Sequence, residues 1–322
     1  MKMKIAVYSC RPDERALFDK IAAERGVELA IAETRPTLEN ADLAEGCQAV
    51  SVVTTPVPAE LLDRWKTLGV RTVSTRTVGF DHIDCRHAEE IGIAVSNVSY
   101  TPHTVAEYTV MTILMALRRM KTIITRYAGQ DFSLKDVRGR ELRNLTVGVI
   151  GTGKIGEMVI EKLSGFGCRV LACAPREKER VKALAPYVDL DTVWQEADVI
   201  TLHAPATGET CHLINRDTLN QMKDGVVIIN MARGILIDTD ALIEALENGK
   251  VGAAALDVVE EEGKIYYHDY KYRPTGNHQM AILQAMPNVL MTPHTAFFTE
   301  EAVEDMIRYS IENCLLAMEE NN

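Results

Sequence analysis

The stretch that decides the fold is Leu145-Thr146-Val147-Gly148-Val149-Ile150-Gly151-Thr152-Gly153-Lys154-Ile155-Gly156. An apolar, strand-like run enters three glycines spaced G-x-G-x-x-G, and a helical pattern continues through Leu163. In that strand–turn–helix setting the glycines are the fingerprint of a dinucleotide-binding βαβ unit; outside it they would mark only a tight turn. Gly151 permits the turn, Gly153 lets a pyrophosphate approach the backbone, and Gly156 lets helix and strand pack closely. Amides at the helix start, from Lys154 and Ile155 onward, are then expected to bind phosphate.

On both sides of this unit short apolar runs alternate with helical patterns. Upstream, Lys4–Tyr8, Ala49–Val53 and Val70–Ser74 read as strands, with Asp13–Arg25 and Glu60–Leu68 as helices between them. Downstream, Thr146–Ile150, Arg169–Ala172, Val199–Leu202, Val226–Asn230, Gly252–Leu256 and Val289–Met291 give six strand-like runs. Such alternation predicts parallel strands with crossover helices, in an α/β chain of doubly wound parallel sheets. One long helix is expected from Thr104 to Tyr127, dividing two domains. A last helix, Glu300 to Met318, is expected to return to the first domain.

At 322 residues the chain exceeds the usual size of a single core. A net charge of -11 argues against a nucleic-acid partner, which requires clustered cations. Seven cysteines, an odd number without CxxC spacing, read as reduced thiols and not as a disulfide frame or metal site. Arg11, Asp13 and Glu14 cut the N-terminal apolar run too early for a signal peptide, and Val110–Leu117 is too short to span a bilayer. A cytoplasmic location, no membrane association and no metal are therefore expected.

A NAD-preferring fold usually carries a carboxylate about 20 positions after the glycines, bound to the ribose 2′-hydroxyl. Here Ala174 stands in its place, followed by Pro175, Arg176, Glu177 and Lys178. The missing bond would contribute about 1.5–3 kcal/mol to NAD binding, and the same carboxylate would repel a 2′-phosphate. Arg176, with Lys178 or Arg180, could pair with that phosphate, so NADP(H) is expected to be favoured over NAD(H). Solvated residues opening a surface helix are the alternative.

Three later segments carry polar residues at strand ends, where a doubly wound sheet places its ligand: Asn230–Gly234, Leu256–Glu262 and Met291–Ala296. Reducing a 2-oxo acid requires a cation for the carboxylate and carbonyl, an acid for the nascent alkoxide, and a group that keeps the acid charged. A guanidinium fork suits the first role, and an imidazolium beside a carboxylate suits the others. Arg233, His294 and Glu262 fit these roles. Spacing alone leaves Glu260, Glu261 and Glu262 open, and does not select His294 among eight histidines.

The segments Thr75–Asp84, Val98–Tyr108, Val147–Gly156, Met231–Lys250, Ala255–Gly263 and Pro287–Val303 together resemble the D-2-hydroxyacid dehydrogenase family. The likeness is to its D-lactate dehydrogenase branch, including the members found in vancomycin-resistance operons. The resemblance implies that Arg233 binds substrate, His294 is the general acid/base and Glu262 its partner. It places Asp257 beside the nicotinamide, Ala232, His203 and Pro205 in the cofactor cleft, and the Val78 and Gly79 amides on the substrate carboxylate. Tyr100 and Phe297 are similar to pocket walls of the family.

The same resemblance implies two Rossmann- or flavodoxin-like domains with an interdomain cleft. A catalytic domain of residues 1–100 and 296–322 would be interrupted by a dinucleotide-binding domain of residues 101–295, in a homodimer formed through the central helix. The expected activity is reduction of pyruvate to D-lactate. The lid segment Thr54-Thr55-Pro56-Val57-Pro58 lacks bulky side chains, which leaves larger branched or aromatic 2-oxo acids as an alternative. A dinucleotide-sensing corepressor on the same fold is a second alternative.

Overall fold

Short β-branched runs flanked by helices form two parallel sheets in a computed structural model that describes residues 3–319. The chain divides into two units, Met1–Thr101 with Phe298–Asn322, and Pro102–Phe297. Residues 1, 2 and 320–322, which the expected domain bounds include, lie outside the described residues.

In the first unit β1 (Lys4–Val7), β2 (Glu28–Ile31), β3 (Ala49–Val52), β4 (Thr72–Thr75) and β5 (Ala94–Asn97) pair in the order β2-β1-β3-β4-β5. This is the flavodoxin-like winding. The returning helix Glu300–Glu319 packs Val303, Ile307, Ile311 and Cys314 against Ile5, Val7 and Phe18. Ser310 and Ser51 meet there, hydroxyl to hydroxyl, at 2.8 Å. Arg76, fully buried after β4, donates to the Ser51 hydroxyl and to the carbonyls of Tyr8 and Ser9. It thereby ties the loop carrying Val78 and Gly79 to the ends of β1 and β3.

In the second unit β6 (Thr146–Ile150), β7 (Arg169–Cys173), β8 (Val199–Leu202), β9 (Val226–Asn230), β10 (Val251–Leu256) and β11 (Val289–Met291) pair in the order β11-β10-β9-β8-β6-β7. A parallel bridge between Ala172 and Tyr187 adds a rudimentary strand outside β7. With it the sheet has the doubly wound dinucleotide order, extended by one strand. All six strand-like runs expected here are strands, because strands covered on both faces read as continuous apolar runs.

Two expectations need correction. The helix expected from Thr104 to Tyr127 is two helices, His103–Leu117 and Met120–Ala128. The break falls at Arg118–Arg119, where Arg119 takes a left-handed φ of 52° with no glycine or proline to announce it. Strands β2 and β5 were not expected. Both are sheet edges in which no residue is fully buried.

Candidate active site

Because the second sheet is wholly parallel, the carboxyl ends of its strands share one edge. The glycine loop follows β6, His203 follows β8, Arg233 follows β9, Asp257–Glu262 follow β10 and His294 follows β11. Strand order reverses between β6 and β8, the switch point at which such sheets bind ligands.

The glycine loop fits a dinucleotide. Gly151 has φ 93°, and a Cβ there would lie 2.5 Å from the His203 carbonyl carbon. A Cβ on Gly156 would lie 1.9 Å from the Gly151 oxygen, so any side chain would force helix and strand apart. At Gly153, by contrast, a Cβ would meet nothing within 4 Å, leaving the backbone open to an approaching group. The helix Lys154–Ser164 starts directly after it. His203 bonds the Thr201 hydroxyl through Nε2 at 3.0 Å, and burial pulls its pKa down to about 3, so the ring is neutral. Pro205 is exposed, and its carbonyl accepts from the Thr210 hydroxyl.

After β7, Ala174 is half-buried and Arg176 is exposed. Lys178 and Arg180 already have a partner. Lys178 Nζ lies 2.9 Å from Glu157 Oε2, and Arg180 Nε lies 3.3 Å from Glu157 Oε1. The Tyr187 hydroxyl pairs with the Thr152 hydroxyl at 2.8 Å and accepts from the Lys178 amide at 3.1 Å, linking this segment to the glycine loop.

At the far end of the edge, His294 Nδ1 lies 2.6 Å from Glu262 Oε1. The other oxygen, Oε2, accepts from the Val259 amide at 2.7 Å, which fixes the carboxylate. The neighbouring acids are engaged elsewhere: Glu260 holds His212 and Thr239, and Glu261 pairs with Lys264. Geometry thus selects Glu262 from three adjacent glutamates.

His294 adopts φ 52°, a strained backbone for a side-chain-bearing residue. Asp257 holds it there. Its carbonyl accepts from the His294 amide at 2.8 Å. Its nearly inaccessible carboxylate accepts from the Thr292 hydroxyl and the Thr295 and Ala296 amides. The Tyr267 hydroxyl donates to the His294 carbonyl at 2.8 Å. The Phe297 ring stands edge-on to the imidazole with centroids 6.3 Å apart.

Arg233 is half-buried on a loop shaped by buried Asn230. The Asn230 side chain accepts from the Ala232 amide at 3.0 Å and donates to the Arg233 carbonyl at 2.9 Å. A Cβ on Gly234 would come within 2.2 Å of the Val259 carbonyl carbon. Only glycine therefore lets the Arg233 loop lie against the segment that leads to Glu262. In the first unit, the Val78 and Gly79 amides donate to no protein acceptor among the described residues. Tyr100 lies in that unit too, just before the boundary at Thr101. No cluster of three metal-ligating side chains occurs among the described residues.

Sequence reasoning missed Asn230, Thr292, Tyr187 and Glu157. An asparagine two residues before a bonded amide is a recognised turn former, so Asn230 carried a local signal. The others act across the fold and carried none.

Residues 110–296 match the family described as D-isomer specific 2-hydroxyacid dehydrogenase, NAD binding domain. A D-specific alpha-keto acid dehydrogenase of Enterococcus faecium is 43% identical, over 97% of this chain and 96% of its own. An aromatic 2-oxoacid reductase of Clostridium sporogenes is 41% identical, over 97% and 95%. Among solved structures, a D-lactate dehydrogenase from Treponema pallidum superposes with a TM-score of 0.88 at 34% identity, covering 98% of this chain and 97% of that one.

Proposed function

The chain belongs to the D-isomer specific 2-hydroxyacid dehydrogenase family, and on that premise we propose that it reduces pyruvate to D-lactate with a nicotinamide dinucleotide. The observation that carries the reading is the 2.6 Å pair of His294 and Glu262 on the sheet edge that also bears the glycine loop.

The reduced nicotinamide supplies the hydride. Arg233 binds the carboxylate and polarises the 2-oxo group with its guanidinium. With Nδ1 engaged by Glu262, His294 has Nε2 left to give a proton to the nascent alkoxide, and Glu262 balances the charge of the ring. Asp257, with both oxygens held by the 292–296 loop, keeps the imidazole in place. The Val78 and Gly79 amides, Tyr100 and Phe297 are the proposed substrate contacts of the same reading.

For the dinucleotide, the proposal is that NADP(H) is favoured over NAD(H). Ala174 supplies no carboxylate to repel a 2′-phosphate, and exposed Arg176 is available to it. The margin is small, because Lys178 and Arg180 are paired with Glu157. Exposed Met111, Ile124 and Tyr127 on the helices His103–Leu117 and Met120–Ala128 support a homodimer. Seven unpaired cysteines support a cytoplasmic location, and no described helix is long and apolar enough to cross a membrane.

Steady-state rates with pyruvate, 2-oxoisocaproate and phenylpyruvate against NADH and NADPH test the reading. Pyruvate is expected to give the highest kcat/KM. A strong preference for phenylpyruvate would instead establish the second reading, a reductase of larger acids, which the slender Thr54–Pro58 segment favours. No turnover on any of them would end both.

A further inference from the structure

We propose that Glu157 sets the NADPH-to-NADH preference by holding Lys178 and Arg180 away from a ribose 2′-phosphate. The inference rests on the reading of the glycine loop as a dinucleotide site. A doubly wound fold usually discriminates with a carboxylate at the end of its second strand, and this chain has Ala174 there. The carboxylate that holds Lys178 and Arg180 comes from a different element.

Glu157 lies in the first turn of the helix Lys154–Ser164, one residue after the last glycine of the loop. Its side chain is only 16% exposed and spends one oxygen on each cation, Oε2 on Lys178 and Oε1 on Arg180. Glu161, one turn on, gives Arg180 a second, looser partner at 3.8 Å. The Lys178 backbone is fixed by Tyr187, which also grips Thr152 inside the glycine loop. The segment that would read the ribose is therefore anchored to the phosphate loop, while two of its three cations, Lys178 and Arg180, are turned onto an acid.

Arg176 has no carboxylate partner among the described residues and is the one cation of the segment left for a 2′-phosphate. With Lys178 and Arg180 released to join Arg176, three cations would bind that dianion far better than one, since each charge-assisted bond adds to the last. The Glu157 charge would also repel it. Glu157 thus acts through its neighbours as a positioning residue. Removing its charge strengthens NADPH binding and leaves NADH, which lacks the phosphate, nearly unaffected.

The test is fluorescence titration of the purified chain with NADH and NADPH, giving Kd for each without turnover. Glu157→Gln is expected to tighten NADPH at least about tenfold, with NADH changing by less than about threefold. Glu157→Ser should do the same, guarding against a folding defect peculiar to the amide. Glu157→Asp, which keeps the charge, should stay near the wild-type ratio. Adding Lys178→Met and Arg180→Met to Glu157→Gln should abolish the gain. An unchanged NADPH-to-NADH ratio in both neutral variants overturns the proposal. Failure of the wild-type chain to bind either dinucleotide overturns the site reading itself, a distinguishable result.

Discussion

Glu262 shows what a single carboxylate does that its two neighbours cannot. One oxygen accepts from Val259 and the other faces the imidazole, so both lone-pair sets are committed. An amide offers only one acceptor. In Glu262→Gln the oxygen stays on the Val259 amide and the NH2 turns toward Nδ1, presenting a donor where the ring needs an acceptor. We expect kcat to fall about 10²–10³-fold, equivalent to about 3–4 kcal/mol of transition-state stabilisation, with a much smaller change in KM. Stopped-flow and steady-state measurement of both constants checks this. Equal losses in KM and kcat would mean that Glu262 shapes binding and not proton transfer. At this scale the sequence was informative wherever chemistry is local. The glycines needed only their spacing and the strand-like and helical runs on either side of them, whereas choosing among Glu260, Glu261 and Glu262 required knowing that His212, Thr239 and Lys264 occupy the other two.

Between elements, close approach governs. The segment after β9 and the segment after β10 touch backbone to backbone at Gly234, where a Cβ would meet the carbon and oxygen of Val259 at 2.2 and 2.3 Å and the Glu260 nitrogen at 2.5 Å. Neither side is a flexible side chain, so the strain cannot be absorbed by a rotamer. Gly234→Ala should cost about 1–3 kcal/mol in overpacking, lowering Tm by several degrees, about 2–4 °C per kcal/mol. It should also lower kcat, because the backbone it displaces carries the amide that fixes Glu262. A thermal melt paired with kinetics on pyruvate separates the two effects; an unaltered kcat in a destabilised protein would uncouple the segments. The legible elements were the strands that read as apolar runs, the central ones and the edge strand β11 alike. Edge strands β2 and β5 and the helix break at Arg119 were not legible, since their geometry comes from neighbours and not from residue type.

At the scale of the whole molecule, His203 is expected to make the second unit sensitive to acid, and each unit carries one of the two tryptophans, Trp65 in the first and Trp194 in the second. His203, beside the glycine loop of the second unit, has its pKa pulled by burial from 6.5 to about 3. The unfolded chain takes up this proton near pH 6.5, while the folded chain refuses it until about pH 3. Between those values the unfolded state binds more protons, so stability falls as pH falls, by about 1.4 kcal/mol per unit from this ring. From pH 7 to pH 5 the loss amounts to about 2 kcal/mol. His203→Gln keeps a partner for the Thr201 hydroxyl but has nothing to protonate. Urea unfolding followed by Trp194 fluorescence in a Trp65→Phe background, at pH 7 and pH 5, should show the pH sensitivity of the second unit reduced by that amount. The same variant read through Trp65 in a Trp194→Phe background should show no such change if the units unfold separately. Identical pH dependence at Trp194 with and without His203 would mean that the ring is protonated in the folded chain, and that the wall behind the glycine loop is open to water.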